Sequence, residues 1–209
     1  MSEPRMPPAV VVGLVVAVCG ALLLGAHLGL ASRIERNVRL EQGRILLDLV
    51  GERGLSDEEM ERFIADNIRE EKDDSGRTHR WVYLRESAVG AVLYPMEGKG
   101  LWGPIHGVLA LSPDLETITG VRISRHEETP GLGAEIEAAW FLKRFEGRPY
   151  HVRDDRSCGS IQLHVVKAGT AKGEWEIDGI SGATETIRGF DRMLTGTLER
   201  VLRDREVAP

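Results

Sequence analysis

The chain opens on an apolar run with no charged side chain: residues 9–31 contain no Asp, Glu, Lys or Arg. As a helix rising ~1.5 Å per residue, this run reaches roughly 35 Å, enough to cross a hydrocarbon core of ~30 Å. It is longer than the about 7–15 residue apolar region of a cleaved signal peptide, and Val16-Ala17-Val18-Cys19 is a poor lipoprotein signal. The pattern therefore predicts an uncleaved membrane anchor. Beyond it Ile34, Val38, Ile45 and Leu49 recur at helical intervals, so the helix is expected to continue over 33–50. Gly51 and Gly54 break it. Ser56-Asp57-Glu58-Glu59 has the form of a capping box, and Met60, Phe63, Ile64 and Ile68 make the apolar face of a second helix. Residues 70–77 read as a solvated charged loop.

From Arg80 the spacing shortens. Residues 80–85, 107–111 and 118–124 are strand-like, with Ile118, Val121 and Ile123 as the bulky positions of the last. Ser112-Pro113-Asp114 supplies turn chemistry between the second and third, which predicts an antiparallel hairpin. Residues 134–145 read as a helix stopped by Gly147. Short strands follow at 161–166 and 174–177, and a final helix at 184–203. In that helix Ile187, Phe190, Leu194, Leu198 and Val201 form a continuous stripe, the signature of core packing. Strands grouped with flanking helices predict an α+β domain with an antiparallel sheet, preceded by one transmembrane helix.

Composition narrows the function classes. A net charge of −6 and a pI near 5.6 argue against a nucleic-acid surface. Of the two cysteines, Cys19 lies in the apolar run and Cys158 in the later domain, which excludes a disulfide framework and any Cys-x-x-Cys metal pair. His79, His106, His126, His151 and His164 are scattered without metal-ligand spacing, so no metal is expected. Only Arg5 precedes the anchor, whereas Arg33, Arg36, Arg39 and Arg44 follow it. That bias alone would keep the C-terminal side in the cytoplasm, but the rule loses force for a long domain.

The candidate chemistry lies in three segments. In Asp178-Gly179-Ile180-Ser181-Gly182-Ala183-Thr184, a short strand ends, two glycines turn the chain and a long helix begins. A phosphate on Thr184 would sit beside the first helical turn, where free backbone N–H groups favour an anion. Asp178 would repel that phosphate, so its role would be in the attachment reaction or in holding the turn. The same residues also suit an ordinary helix start capped by Ser181 or Thr184. The second segment is His126-Glu127-Glu128-Thr129-Pro130-Gly131-Leu132-Gly133. Its Pro and Gly residues fix a rigid loop of exposed N–H groups around an apolar Leu132, suited to a planar aromatic ligand; Glu127 and Glu128 read as a solvated helix-entry pair. The third is Gly100-Leu101-Trp102-Gly103-Pro104, where Trp102 offers a broad stacking surface or is a core or membrane-interface residue.

Together these segments resemble the FMN-binding domain shared by the C-type subunit of the sodium-translocating NADH:quinone reductase and the G-type subunit of the related Rnf complex. The resemblance runs over 98–190; the Leu-Trp segment favours the C type, while the short stretch between anchor and Gly98 is nearer the G-type length. It implies an electron carrier without catalytic side chains, relaying electrons within an ion-translocating NADH:quinone oxidoreductase complex. Thr184 would hold FMN (flavin mononucleotide) covalently as a phosphoester. Asp178, Gly179, Ser181, Gly182 and Ala183 would be the recognition motif for a flavin transferase that donates FMN from FAD with Mg²⁺. Leu101, Trp102, Thr129 and Leu132 would line the isoalloxazine, with Gly131 shaping the loop. The expected layout is a cytoplasmic N-terminus over 1–8, a transmembrane helix over 9–31, a helical connection over 32–78 and a periplasmic FMN-binding domain over 79–209 of an inner-membrane protein. Its partners would be the membrane subunits of the complex. A stand-alone flavoprotein and a structural module without flavin are the competing readings.

Overall fold

The computed structural model describes residues 7–151 and 161–207; Arg5 and Cys158, weighed above, lie outside them. The chain forms two compact units, Met1–Glu41 and Gln42–Pro209. Helix α1, Pro8–Val50, starts in the first and ends in the second, as the helical spacing from Ile34 to Leu49 predicts. Its N-terminal part is long and apolar enough to cross a membrane, with Leu14, Leu22, Leu23 and Leu28 all exposed. The helix ends where Gly51 takes φ +86°. Helix α2, Asp57–Asn67, begins with the predicted capping box: Glu59 N–H donates to the Ser56 hydroxyl and Ser56 N–H donates to Glu59.

The second unit is built on a six-stranded antiparallel sheet with its strands in sequence order: β1 Ile68–Lys72, β2 Thr78–Arg85, β3 Ala88–Lys99, β4 Pro104–Leu111, β5 Thr117–Arg125 and β6 Arg148–Pro149. The β4–β5 hairpin turns at Ser112–Asp114 as the sequence predicts, with the Ser112 hydroxyl accepting from Thr117 N–H. Two parts of this sheet differ from the pattern read along the chain. Residues 70–77 are a loop only from Asp73 onward, because 68–72 of the expected helical connection pair with β2 as an edge strand. The longest strand, β3, is not legible in the pattern. Pro95, Gly90 and Gly98 punctuate it, and both its faces are buried, so it shows no alternation.

The two faces of the sheet carry separate cores. Leu93, Val108 and Ala110 point to one side, against Leu46 and the C-terminal turns of α1 together with Phe63 of α2. Tyr94, Leu109, Leu111, Ile118 and Val121 point to the other, against helix α4, Thr184–Val207. Ile187, Phe190, Leu194, Leu198 and Val201 of α4 are all buried there, as their spacing predicts. The segment expected as one helix over 134–145 is instead a 3-10 turn, Gly133–Glu137, followed by the four-residue α3, Ala139–Leu142. Ala138 between them is extended (φ −66°, ψ 136°), which sends Ile136, Phe141 and Phe145 into the α4 core. A separate two-stranded sheet, β7 His164–Val166 with β8 Glu176–Asp178, is parallel and delivers the chain to α4.

Glycines set how closely α4 approaches the sheet. A Cβ on Gly98 would come within 2.6 Å of Met193 Cβ, and one on Gly189 would strike the Lys99 carbonyl oxygen. With hydrogens there, the backbone at the end of β3 packs directly on the helix. The first turn of α4 is thereby brought beside the β3–β4 hairpin tip.

Candidate functional site

Three connections meet at that place. The β3–β4 hairpin ends in a tight turn, closed by Gly100 N–H donating to the Gly103 carbonyl at 2.8 Å. This turn presents Leu101 and Trp102 to solvent, Trp102 being 68% exposed, so Trp102 is not a core residue. The loop after β5 folds back through Leu132 N–H and Ala134 N–H, both donating to the Thr129 carbonyl at 3.1 and 3.0 Å. Those two amides are therefore satisfied within the loop, where the sequence suggested free donors. Gly131 supplies the positive φ of +71° that the fold-back needs, and Leu132 is left exposed at the tip. The third connection is the β8–α4 turn, where Gly182 takes φ +78°.

Between them lies an open cleft of about 230 Å³. It is lined by Leu101 of the hairpin tip, by Thr129, Leu132 and Gly133 of the fold-back loop, and by residues 182–186 at the start of α4. Trp102 joins through its indole N–H, which donates to the Thr129 hydroxyl at 3.0 Å. The cleft is smaller than the ~300–1,000 Å³ of an enclosing ligand pocket. It suits one part of a larger ligand, held against an apolar wall and open to solvent.

Helix α4 starts at Thr184, and Ile187 N–H makes its bond to the Ala183 carbonyl at 2.9 Å. Ala183 thus occupies the cap position and has no side-chain acceptor, so neither Ser181 nor Thr184 serves as the cap. The N–H groups of Thr184, Glu185 and Thr186 belong to the first turn, which has no intrahelical partners for them. Such a helix terminus favours an anion, and it lies at the residue whose hydroxyl is the expected attachment point.

Asp178, Gly179 and Ser181 lie outside the cleft lining. Asp178 accepts from Ala171 N–H at 3.0 Å and Thr170 N–H at 2.9 Å, and these bonds hold its carboxyl below the usual carboxylate range. Arg144 donates to the Asp178 carbonyl, and Gly179 N–H donates to Val166. In this structure Asp178 holds the turn. A Cβ on Gly179 would meet the Val166 carbonyl at 2.6 Å, so this glycine serves close packing under the turn.

Glu128 overturns the reading of a solvated pair: Glu127 is exposed, but Glu128 is only 5% exposed. Its carboxylate accepts from Trp102 N–H at 3.0 Å and from the Thr186 hydroxyl, and its own N–H donates to His126 Nδ1 at 3.1 Å. Sequence reasoning misses Glu128 and Thr186 because a Glu in a charged run and a Thr beside an apolar stripe look like surface residues. The one available signal is that Thr186 directly precedes Ile187 on the buried side of the stripe. Among the described residues no group of His, Cys, Asp and Glu is arranged to hold a metal ion.

Residues 100–199 match the family description of an FMN-binding domain, a stretch that includes all three connections. The C subunit of the Na(+)-translocating NADH-quinone reductase from Chlamydia trachomatis serovar D is 36% identical over 129 residues, covering 56% of this chain and 41% of that protein. The same subunit from Pasteurella multocida is 37% identical over 113 residues, covering 53% and 42%. The chain thus spans about two-fifths of the length of these curated relatives. Among solved structures, the C subunit of this reductase from Parabacteroides distasonis superposes with a TM-score of 0.70 at 26% identity, covering 86% of this chain and 98% of that one. Shewanella oneidensis NqrC superposes at 0.66 and 23% identity, covering 80% and 97%, which supports the fold alone. Residues 100–199, with their exposed Leu-Trp hairpin, fold-back loop and uncapped helix start around one cleft, are thus similar to the FMN-binding domain family.

Proposed function

We propose that this chain is a membrane-anchored electron-carrier subunit that holds FMN through a phosphoester on Thr184, acting within an Nqr-type NADH:quinone oxidoreductase. The observation that carries the reading is the meeting of Thr184 with Leu101, Thr129 and Leu132 around one cleft. The residues fit the group. Orphan N–H groups of the first α4 turn suit the phosphate, and Gly182 leaves room for the ribityl chain. Leu101, Trp102 and Leu132 offer an apolar wall for the ring, with Thr129 held in place by the Trp102 indole. Bound there, FMN would supply the reversible electron uptake that no side chain of this site provides. The protein's own part is to tether the cofactor, orient its ring and restrict water on one side.

Attachment needs outside help, since a threonine hydroxyl is a weak nucleophile. A flavin transferase with Mg²⁺ would join the Thr184 oxygen to the FMN phosphorus of FAD, releasing AMP and a proton. The turn from Asp178 to Ala183, with Gly179, Ser181 and Gly182, is the surface that enzyme would read. On this reading residues 1–8 are cytoplasmic and 9–31 span the inner membrane. The flavin domain over 79–209, with β1 added to its sheet, then lies on the periplasmic face beside the other membrane subunits. The name of the curated relatives favours the C subunit of the sodium pump over the G subunit of an Rnf-type complex.

The test is the intact mass of the full chain produced with and without a flavin transferase. Only the co-expressed protein should gain the mass of FMN less water, and Thr184→Val should abolish the gain. Fluorescent flavin remaining on Thr184→Val after denaturing electrophoresis would overturn the assignment.

A further inference from the structure

Glu128 takes no part in the reading above, yet it is the only buried carboxylate among the described residues. Burying such a group is costly unless hydrogen bonds replace its water. Both of its oxygens accept: Oε1 from Trp102 N–H at 3.0 Å and Oε2 from the Thr186 hydroxyl. Accepting at both oxygens is open to an ionised carboxylate, and among the described residues no basic side chain pairs with it. The surroundings are shaped around it. A Cβ on Gly100 would strike Oε1, and one on Gly133 would come within 2.9 Å of both Glu128 Cβ and Oε2. Trp102 sits on the hairpin tip, while Thr186 lies two residues beyond Thr184 in the first turn of α4.

We infer that Glu128 is a positioning residue of the flavin site: its carboxylate clasps the β3–β4 hairpin tip to the first turn of α4, and its charge disfavours reduction of a flavin held beside it. The clasp itself stands without the flavin reading, whereas its effect on the position and reduction of a flavin rests on that reading. An apolar residue would fill the same volume, but it cannot join two donors from separate segments. The clasp fixes the spacing between the Leu101–Trp102 wall and the Thr184 tether, so that a ring held by the tether meets the wall in one geometry. An uncompensated negative charge behind the wall opposes the addition of an electron to the flavin.

Three variants of the full chain in lipid nanodiscs separate these roles. In Glu128→Gln the amide oxygen can still accept from Trp102 N–H while the NH₂ donates to the Thr186 hydroxyl, so the clasp survives without its charge. Glu128→Ala removes the clasp, and Thr186→Val removes one arm. Without flavin, hydrogen exchange of residues 100–103 should be about tenfold faster or more in Glu128→Ala, the loss of a charge-assisted hydrogen bond. It should rise less in Thr186→Val and stay near the parent in Glu128→Gln. With flavin attached, Glu128→Gln should shift the midpoint potential to more positive values. Unchanged exchange at 100–103 in both Glu128→Ala and Thr186→Val would overturn the clasp whether or not flavin binds. An unchanged potential in Glu128→Gln would overturn the role of the charge. If the parent protein took up no flavin while exchange behaved as expected, the clasp would stand and the flavin reading would fail.

Discussion

Individual residues of this site act more through backbone shape than through reactive groups. Gly131 and Gly182 both take positive φ, +71° and +78°. A Cβ at Gly131 meets nothing within 4 Å, whereas one at Gly182 would lie 2.9 Å from Leu132 Cδ2. Alanine at either position suffers left-handed strain of about 1–2 kcal/mol. At Gly182 it also pushes Leu132 off the wall that faces Thr184. Thermal denaturation should therefore show similar losses for Gly131→Ala and Gly182→Ala, while flavin loading, read from the intact mass, should fall further in Gly182→Ala. The glycines are visible in the sequence, but their different surroundings are not, because Leu132 is remote from Gly182 along the chain. Glu128 makes the same point: two adjacent carboxylates followed by a threonine give no hint that one of them is buried.

Among the elements, helix α4 is the most legible and α3 the least. The stripe from Ile187 to Val201 keeps helical spacing over several turns, and every member is buried. Residues 134–145 carry a helix-like composition, yet Ile136, Phe141 and Phe145 all have to reach one core, which an extended Ala138 allows and a straight helix would not. Strand β3 is hidden because Leu93 faces one core and Tyr94 the other, so apolar residues run on without alternation. The contact of α4 with the end of β3 depends on Gly189, where any Cβ would collide with the Lys99 carbonyl. Gly189→Ala should cost about 1–3 kcal/mol as an overpacked contact, seen as a lower denaturation midpoint. It should also spread the hairpin tip from the first turn of α4 and reduce the ordering of any ring held between them, read as lower flavin fluorescence anisotropy.

At the scale of the whole molecule, pH should limit stability from both sides. Asp178 is held below its usual range by Ala171 and Thr170 N–H groups, and Asp73 by the Ser75 hydroxyl and the Arg77 N–H. A depressed carboxylate contributes stability above its unfolded pKa of ~3.9 that is lost as pH falls through the folded value. Burial pushes Tyr94 up to about 12 and raises Tyr150 as well. Between pH ~10 and the raised values the unfolded chain releases these protons while the fold retains them, so stability falls as pH rises through that window. Denaturation midpoints measured across pH should be flat near neutrality and drop below about pH 4 and above about pH 10. Tyr94→Phe should soften the alkaline drop, and Asp178→Asn the acid one.

The sequence by itself determined an apolar helix able to cross a membrane, an α+β class, the α4 stripe and the order of the Leu-Trp, Pro-Gly-Leu-Gly and Ser-Gly-Ala-Thr segments. These are local properties, set by spacing and residue type over a few turns or one loop. The tertiary structure alone decided that the three segments, far apart in the chain, surround one cleft. It also decided that Asp178 holds a turn and that Glu128 is buried as a link between hairpin and helix. Those outcomes depend on how closely α4 can approach β3, which is set by Gly98 and Gly189 meeting backbone and side chains of other elements. No pattern within one segment records such a distance.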